Sequence, residues 1–198
     1  MTWTPVMDAD EDEQSRNDTR PWSVLSSSYL SRKPWLTLRQ DRVRLPNGTI
    51  IEDYNVLEYP DWVNVVAITP EGMAVLVRQY RHGIRAVHYE LPAGVCEASD
   101  PSPEETARRE LLEETGYGGG DWSLLMTLSA NPGTHSNRTF TFLANGVVPM
   151  QEQRLEETEE LRVHVVSLEE LRHILATGGI MQALHAAPLL RYLLLVRG

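Results

Sequence analysis

The stretch from Ser102 to Gly116, SPEETARRELLEETG, constrains this chain more than any other part of it. Ser102 can cap a helix, Pro103 suits the first helical position because no N–H is needed there, and Glu105 stands three residues after the cap. Gly116 supplies the left-handed residue that ends a helix. The pattern predicts a helix from 103 to 115. Within it Glu110, Glu113 and Glu114 are spaced by three and four, which places the three carboxylates on one face, about one turn apart. Like charges so placed cost roughly 0.2–0.5 kcal/mol per pair in an isolated helix, so stability alone would not select them. Arg108 and Arg109 compensate in part, and a hard divalent cation such as Mg²⁺, which prefers oxygen ligands, would compensate better. A solvated acidic helix fits the pattern equally well.

The flanking sequence reads mostly as strands. Leu36, Leu38, Val43 and Leu45 bracket polar residues, and Pro46-Asn47-Gly48 makes a turn into a strand from Ile50 to Tyr59, giving a hairpin. Trp62 to Thr69 and Met73 to Tyr80 are apolar and β-branched on either side of Pro70-Glu71-Gly72, which predicts a second hairpin. His88 to Leu91 ends in Pro92-Ala93-Gly94. Strands are expected at 122–128, 139–144 and 161–166, and helices at 168–176 and, interrupted by Pro188, at 181–195. Strands outnumber helices without alternating with them, so the fold class is α+β rather than a doubly wound sheet.

Charge and length set the outer bounds. A chain of 198 residues with 41% hydrophobic content can bury one sizeable core. Its formal charge of −10 would repel a phosphate backbone, which argues against nucleic acid as a partner. One cysteine, Cys96, excludes an internal disulfide and suits a reducing, cytoplasmic setting. No apolar run approaches the roughly 20 residues that a membrane-spanning helix needs, and the acidic start lacks the basic and apolar regions of a signal peptide. The expected division is a disordered acidic tail at 1–20, N-terminal strands at 21–60 and a main domain at 61–198. Acidic residues also cluster at 97–116 and 151–170, seven in each segment against two arginines.

Leu91-Pro92-Ala93-Gly94, a loop, and then Arg109-Glu110-Leu111-Leu112-Glu113-Glu114-Thr115-Gly116-Tyr117 together resemble the Nudix box. Its second half is matched residue for residue. The first half is one residue longer than the family pattern, and Asp100 stands near the place of the usual glutamate. The resemblance implies the Nudix α/β/α sandwich, a mixed sheet between helices, carrying an additional N-terminal antiparallel hairpin region. It implies that Glu110, Glu113 and Glu114, with the Ala93 carbonyl, hold Mg²⁺ or Mn²⁺ as its substitute, and that Arg109 orients the glutamates. A cation held there would neutralise a diphosphate and activate water.

Three outlying features resemble the ADP-ribose and nucleoside-diphosphate-sugar pyrophosphatase branch. Arg78-Gln79-Tyr80-Arg81 precedes Glu90-Leu91-Pro92, which implies Arg78 and Arg81 as substrate contacts; guanidinium donates bidentately to phosphate. Pro132 lies fifteen residues after Tyr117, in register with that branch's proline, and Asn137 stands where many ADP-ribose enzymes carry glutamate. The acidic segment Glu156-Glu157-Thr158-Glu159-Glu160 resembles the loop that supplies the base, with Glu157 the first candidate and Glu159 the second. Trp62, with Tyr29, Trp35 and Tyr54, is a candidate for stacking on a base. The expected activity is Mg²⁺-dependent hydrolysis of ADP-ribose or a similar nucleoside diphosphate sugar to a nucleoside monophosphate and a sugar phosphate, by a homodimer. The rivals are a Nudix hydrolase of nucleoside triphosphates or dinucleoside polyphosphates, and a silent ADP-ribose-binding sensor.

Overall fold

A computed structural model describes residues 20–196; residues 1–19 of the expected tail lie outside the described residues. The chain divides into two compact units between Leu57 and Glu58, against an expected boundary at 60/61.

The first unit is a three-stranded sheet in the order β1-β2-β3, formed by β1 (Ser23–Lys33), β2 (Leu36–Arg44) and β3 (Ile50–Glu58). The β2–β3 turn is the expected one: Gly48 takes φ +89°, and its N–H reaches the Leu45 carbonyl at 2.9 Å. β1 was not among the expected strands. Its sequence SVLSSSYLSRK lacks clean alternation because two register shifts against β2, at Val24/Ser26 and Tyr29/Ser31, break the period of two.

The second unit holds a seven-stranded mixed sheet. Its path is β12 (Leu161–Val166), β5 (Ala74–Arg81), β4 (Trp62–Ile68), β10 (Thr139–Asn145) and β9 (Asp121–Leu128), with β6 (Ala86–Glu90) on β5 and β7 (Ala93–Val95) on β4. β4 and β10 run parallel and the other pairs antiparallel. A short pair, β8 (Tyr117–Gly118) with β11 (Val148–Pro149), stands apart. The expected β4–β5 hairpin forms only at its turn, where Ala67 faces Val75 and Ile68 faces Ala74. Beyond that point the strands diverge, and β6 and β7 pair with the separated edges.

Alternation along β4 sorts its side chains between two cores. Val63, Val65 and Ala67 pack with Ala107 and Leu111 of α1 (Pro103–Thr115). Val66 and Ile68 pack with Leu171 and Ile174 of α2 (Leu168–Ala176) and with Leu189, Tyr192 and Leu193 of α3 (Ala183–Leu195). Helices therefore cover both faces, as the resemblance implied. α1 has the expected bounds and cap: the Ser102 hydroxyl accepts from Glu105 N–H at 3.2 Å, and Gly116 takes φ +75°. The expected interruption of the last helix is corrected. Pro188 lies inside a continuous α3. Proline removes one intrahelical bond, to the carbonyl four residues back. That carbonyl, Leu184 O, accepts from the Asn64 side-chain amide of β4 at 2.9 Å instead.

Candidate active site

The divergence of β4 and β5 leaves room for the Glu90–Val95 segment, and α1 lies against that segment from one side. Gly94 is required there, because a Cβ would collide with the Glu110 carboxylate. The next residue back, Ala93, donates its N–H to Glu114 Oε2 at 3.0 Å. Glu114 is 4% exposed. Burial pushes its carboxyl up to about 8, with Glu110 and Glu159 adding repulsion and the Ala93 N–H and Arg81 opposing. Burial also raises Glu110, to about 7; Arg109 opposes, while Glu113 and Glu159 add to the rise. A desolvated acidic pair of this kind has an electrostatic need that the protein only half meets.

Arg109 supplies the half. Its Nη1 stands 3.0 Å from Glu110 Oε1 and 2.9 Å from Glu113 Oε2, and its Nη2 stands 3.3 Å from Asp100 Oδ2. Asp100 is fixed in turn by the Glu97 N–H at 3.0 Å and the Thr106 hydroxyl at 2.8 Å, and those bonds with Arg109 hold its carboxyl below the usual range. Asp100 thus belongs to the same ion-pair network as the box arginine. Among the described residues no three carboxylate, imidazole or thiol groups form a ready cage for a metal ion; Arg109 engages Glu110 and Glu113 in this state.

Ala93 also lines a cleft of about 570 Å³. Trp62, Arg81, Glu90, Ala93, Asn137 and His185 are among the residues lining it. Arg81 is held rigidly: Glu90, 2% exposed, takes its Nε at 2.8 Å and its Nη2 at 2.6 Å. Gln79 donates to the same carboxylate at 3.2 Å. Nη1 is not part of that pair. Asn137 donates from its amide nitrogen to the Pro60 carbonyl at 3.0 Å, which fixes the side chain, while its oxygen is buried without a protein partner among the described residues. His135 stacks on Tyr59 with ring centres 5.5 Å apart and borders the cleft.

Other sequence candidates fall elsewhere. Arg78 is not brought to the cleft. Alternation along β5 puts it on the face opposite Gln79 and Arg81, over the Tyr89 ring at 5.4 Å. Pro132 is exposed in the turn built on Asn131, between Ala130 and His135, which do line the cleft. Of the two loop glutamates, both exposed, Glu159 raises Glu110 and Glu114 alike, and its carboxylate accepts from Glu156 N–H at 3.0 Å. The loop is tied to α1 by the Arg154 N–H to Glu113 O at 2.9 Å and the Gln153 amide to Glu114 O at 2.6 Å, which satisfy carbonyls at the helix end.

Sequence reasoning did not single out Asn64 or His185. His185 is 3% exposed, and burial pushes its imidazole down to about 4. Asn64 had a visible signal, as the lone polar residue in the run Val63 to Ala67.

Residues 58–184 match the NUDIX domain, and residues 22–57 match the nucleoside diphosphate sugar hydrolase N-terminal domain. The chain is 35% identical over 126 residues to an ADP-ribose pyrophosphatase of Mycobacterium tuberculosis, spanning 64% of this chain and 60% of that protein. It is 32% identical over 149 residues to an ADP-ribose pyrophosphatase of Bacillus subtilis, spanning 75% and 80%. A methanol dehydrogenase activator of Bacillus methanolicus is 34% identical over 134 residues, spanning 67% and 71%. In fold, the chain superposes on the crystal structure of an ADP compounds hydrolase with a TM-score of 0.79 at 22% identity, covering 91% of this chain and 97% of that one. With a Nudix domain over most of its length and the box glutamates gathered beside the Ala93–Gly94 turn, the chain belongs to the Nudix hydrolase family.

Proposed function

We propose that the protein hydrolyses the diphosphate of ADP-ribose, or of a closely similar nucleoside diphosphate sugar, to a nucleoside monophosphate and a sugar phosphate, with Mg²⁺ as the cofactor. The observation that carries this reading is one juxtaposition. The buried Glu114 takes the Ala93 N–H and the half-buried Glu110 carboxylate closes on Gly94, while Ala93 itself lines the cleft that Arg81 and Glu90 also line. The names of the M. tuberculosis and B. subtilis relatives and the N-terminal domain match support the substrate class.

The residues suit a hard divalent cation. Two carboxyls pushed to about 7 and about 8 by burial and mutual repulsion are stabilised as anions by positive charge at oxygen-ligand distance. Glu110, Glu114 and the Ala93 carbonyl would hold the ion, with Glu113 a further ligand on release from Arg109. Such an ion lowers the pKa of a bound water and offsets phosphoryl charge. The protein's own groups do the rest. Arg81, braced by Glu90, presents its remaining guanidinium edge to a phosphate without having to be ordered on binding. Asp100 takes the part of the usual box glutamate by holding Arg109, and Arg109 orients Glu110 and Glu113. Glu159 is favoured over Glu157 as the base, because its charge bears on both Glu110 and Glu114. Trp62 and Asn137 border the organic part of the substrate.

Within the same reading the protein works as a cytoplasmic homodimer. The support is the single thiol and the exposed Trp22, Val24, Leu30 and Trp35 of the first unit. Incubation with ADP-ribose and Mg²⁺ should release AMP and ribose 5-phosphate, and Glu114→Gln should lose about two to three orders of magnitude in turnover. Faster hydrolysis of a nucleoside triphosphate would overturn the substrate assignment.

A further inference from the structure

We propose that His185, on the first turn of α3, is a positioning residue that fixes the Glu90–Ala93 segment and through it sets both Arg81 and the Ala93 carbonyl. The proposal rests on the hydrolytic reading above and adds to it a residue outside the box, the acidic loop and the arginine pair.

The first turn of α3 is docked on the sheet by an unusual route. Pro188 has no N–H to close onto the Leu184 carbonyl, and the Asn64 amide takes that carbonyl at 2.9 Å. A polar side chain in the middle of the apolar β4 thereby tethers the residue just before His185. A second tie joins the connection before α3 to β6, from Tyr89 N–H to Gly179 O at 3.0 Å.

His185 completes this attachment at the point where β6 gives way to the Pro-Ala-Gly turn. Its Nδ1 accepts the Leu91 N–H at 3.0 Å. A ring nitrogen that accepts carries no proton, so in the neutral ring the proton is on Nε2. Nε2 stands 3.8 Å from Glu90 Oε2, the oxygen that also receives Arg81 Nη2 at 2.6 Å. One imidazole thus has two addresses. Nδ1 holds the backbone two residues before Ala93, whose N–H meets Glu114, while the neighbouring Pro92 carbonyl accepts from Val65 N–H at 2.9 Å. Nε2 faces the carboxylate that aims Arg81.

The two roles separate chemically. Asparagine places an acceptor oxygen where Nδ1 stands, and glutamine places an amide donor where Nε2 stands. Steady-state kinetics with ADP-ribose and Mg²⁺ should be measured for wild type, His185→Leu, His185→Asn and His185→Gln, each normalised to the folded fraction by near-ultraviolet circular dichroism. His185→Leu should lower kcat by about ten- to a hundredfold, the cost of a small misplacement of reacting groups, and raise KM about tenfold. His185→Asn should regain kcat to within about threefold with KM still raised, and His185→Gln should do the converse. Asn and Gln variants that move both constants together, or a Leu variant with wild-type constants, would overturn the proposal. If the wild type shows no turnover, the hydrolytic reading fails first. His185 is then judged by Mn²⁺ and ADP-ribose affinity: weakening of ADP-ribose alone in the Asn variant and of Mn²⁺ alone in the Gln variant sustains it, and equal effects on both ligands overturn it.

Discussion

Residues 97–116 and 151–170 each carry seven acidic side chains and two arginines, and by that balance they are interchangeable. The fold separates them. In the first, α1 turns Glu110 and Glu114 inward against the Ala93–Gly94 turn, where burial raises both carboxyls. In the second, Glu156, Glu157, Glu159 and Glu160 stay exposed, on a loop anchored to the end of that same helix through Gln153 and Arg154. Equal charge density therefore gives two desolvated carboxyls that resist ionising in one segment and a set of solvated carboxylates in the other. What distinguishes a binding carboxylate from a surface one is the desolvation it suffers, and neighbouring backbone decides that.

The sharpest way to break this contrast is within the loop. Glu159→Gln should lower kcat about a hundredfold, the range for loss of a general base, while Glu157→Gln should stay within about twofold. Stopped-time product assays at saturating substrate measure both. The reverse ranking would return the role to Glu157, and two silent variants would remove the loop from the chemistry.

A smaller effect concerns stability. Glu110 and Glu114 titrate near the ordinary 4.5 when the chain is unfolded and at about 7 and about 8 when it is folded. Between those limits the native state binds more protons. Their contribution to stability is therefore complete below about pH 4.5 and is lost as the pH rises through 7 and 8. The metal-free protein should lose roughly 5 °C or more in Tm between about pH 5.5 and pH 9, Glu114→Gln should flatten that slope, and Mg²⁺ should restore Tm at the upper end. Scanning calorimetry at several pH values checks the sign; a Tm that rises with pH would show that burial does not dominate at these carboxyls.

Much of this was legible in the sequence where local signals and tertiary demands coincide. Ser102, Pro103 and Gly116 mark the ends of α1 because cap chemistry is local, and the box glutamates sit on the face their spacing required. β1 was hidden because its bulges remove the alternation that marks a strand, so it exists by pairing with β2 rather than by pattern. Pro188 reads as an interruption because its partner is not local: Asn64, more than a hundred residues away in sequence, satisfies the carbonyl the proline leaves open. A separation of 94 residues from its partner Leu91 hides His185 in the same way. Arg78 and Arg81 share one motif, yet a strand's alternation sends them to opposite faces, and only Arg81 reaches the cleft.

The central claim is that the inward glutamates of α1 bind a divalent cation at the edge of the cleft. Calorimetric titration of Mn²⁺ into wild type, Glu110→Gln and Glu114→Gln at about pH 8 tests it most directly. The account predicts saturable binding to the wild type, weakened at least about tenfold in each variant. Wild-type affinity retained in both variants, or no binding to any of the three proteins, would contradict it.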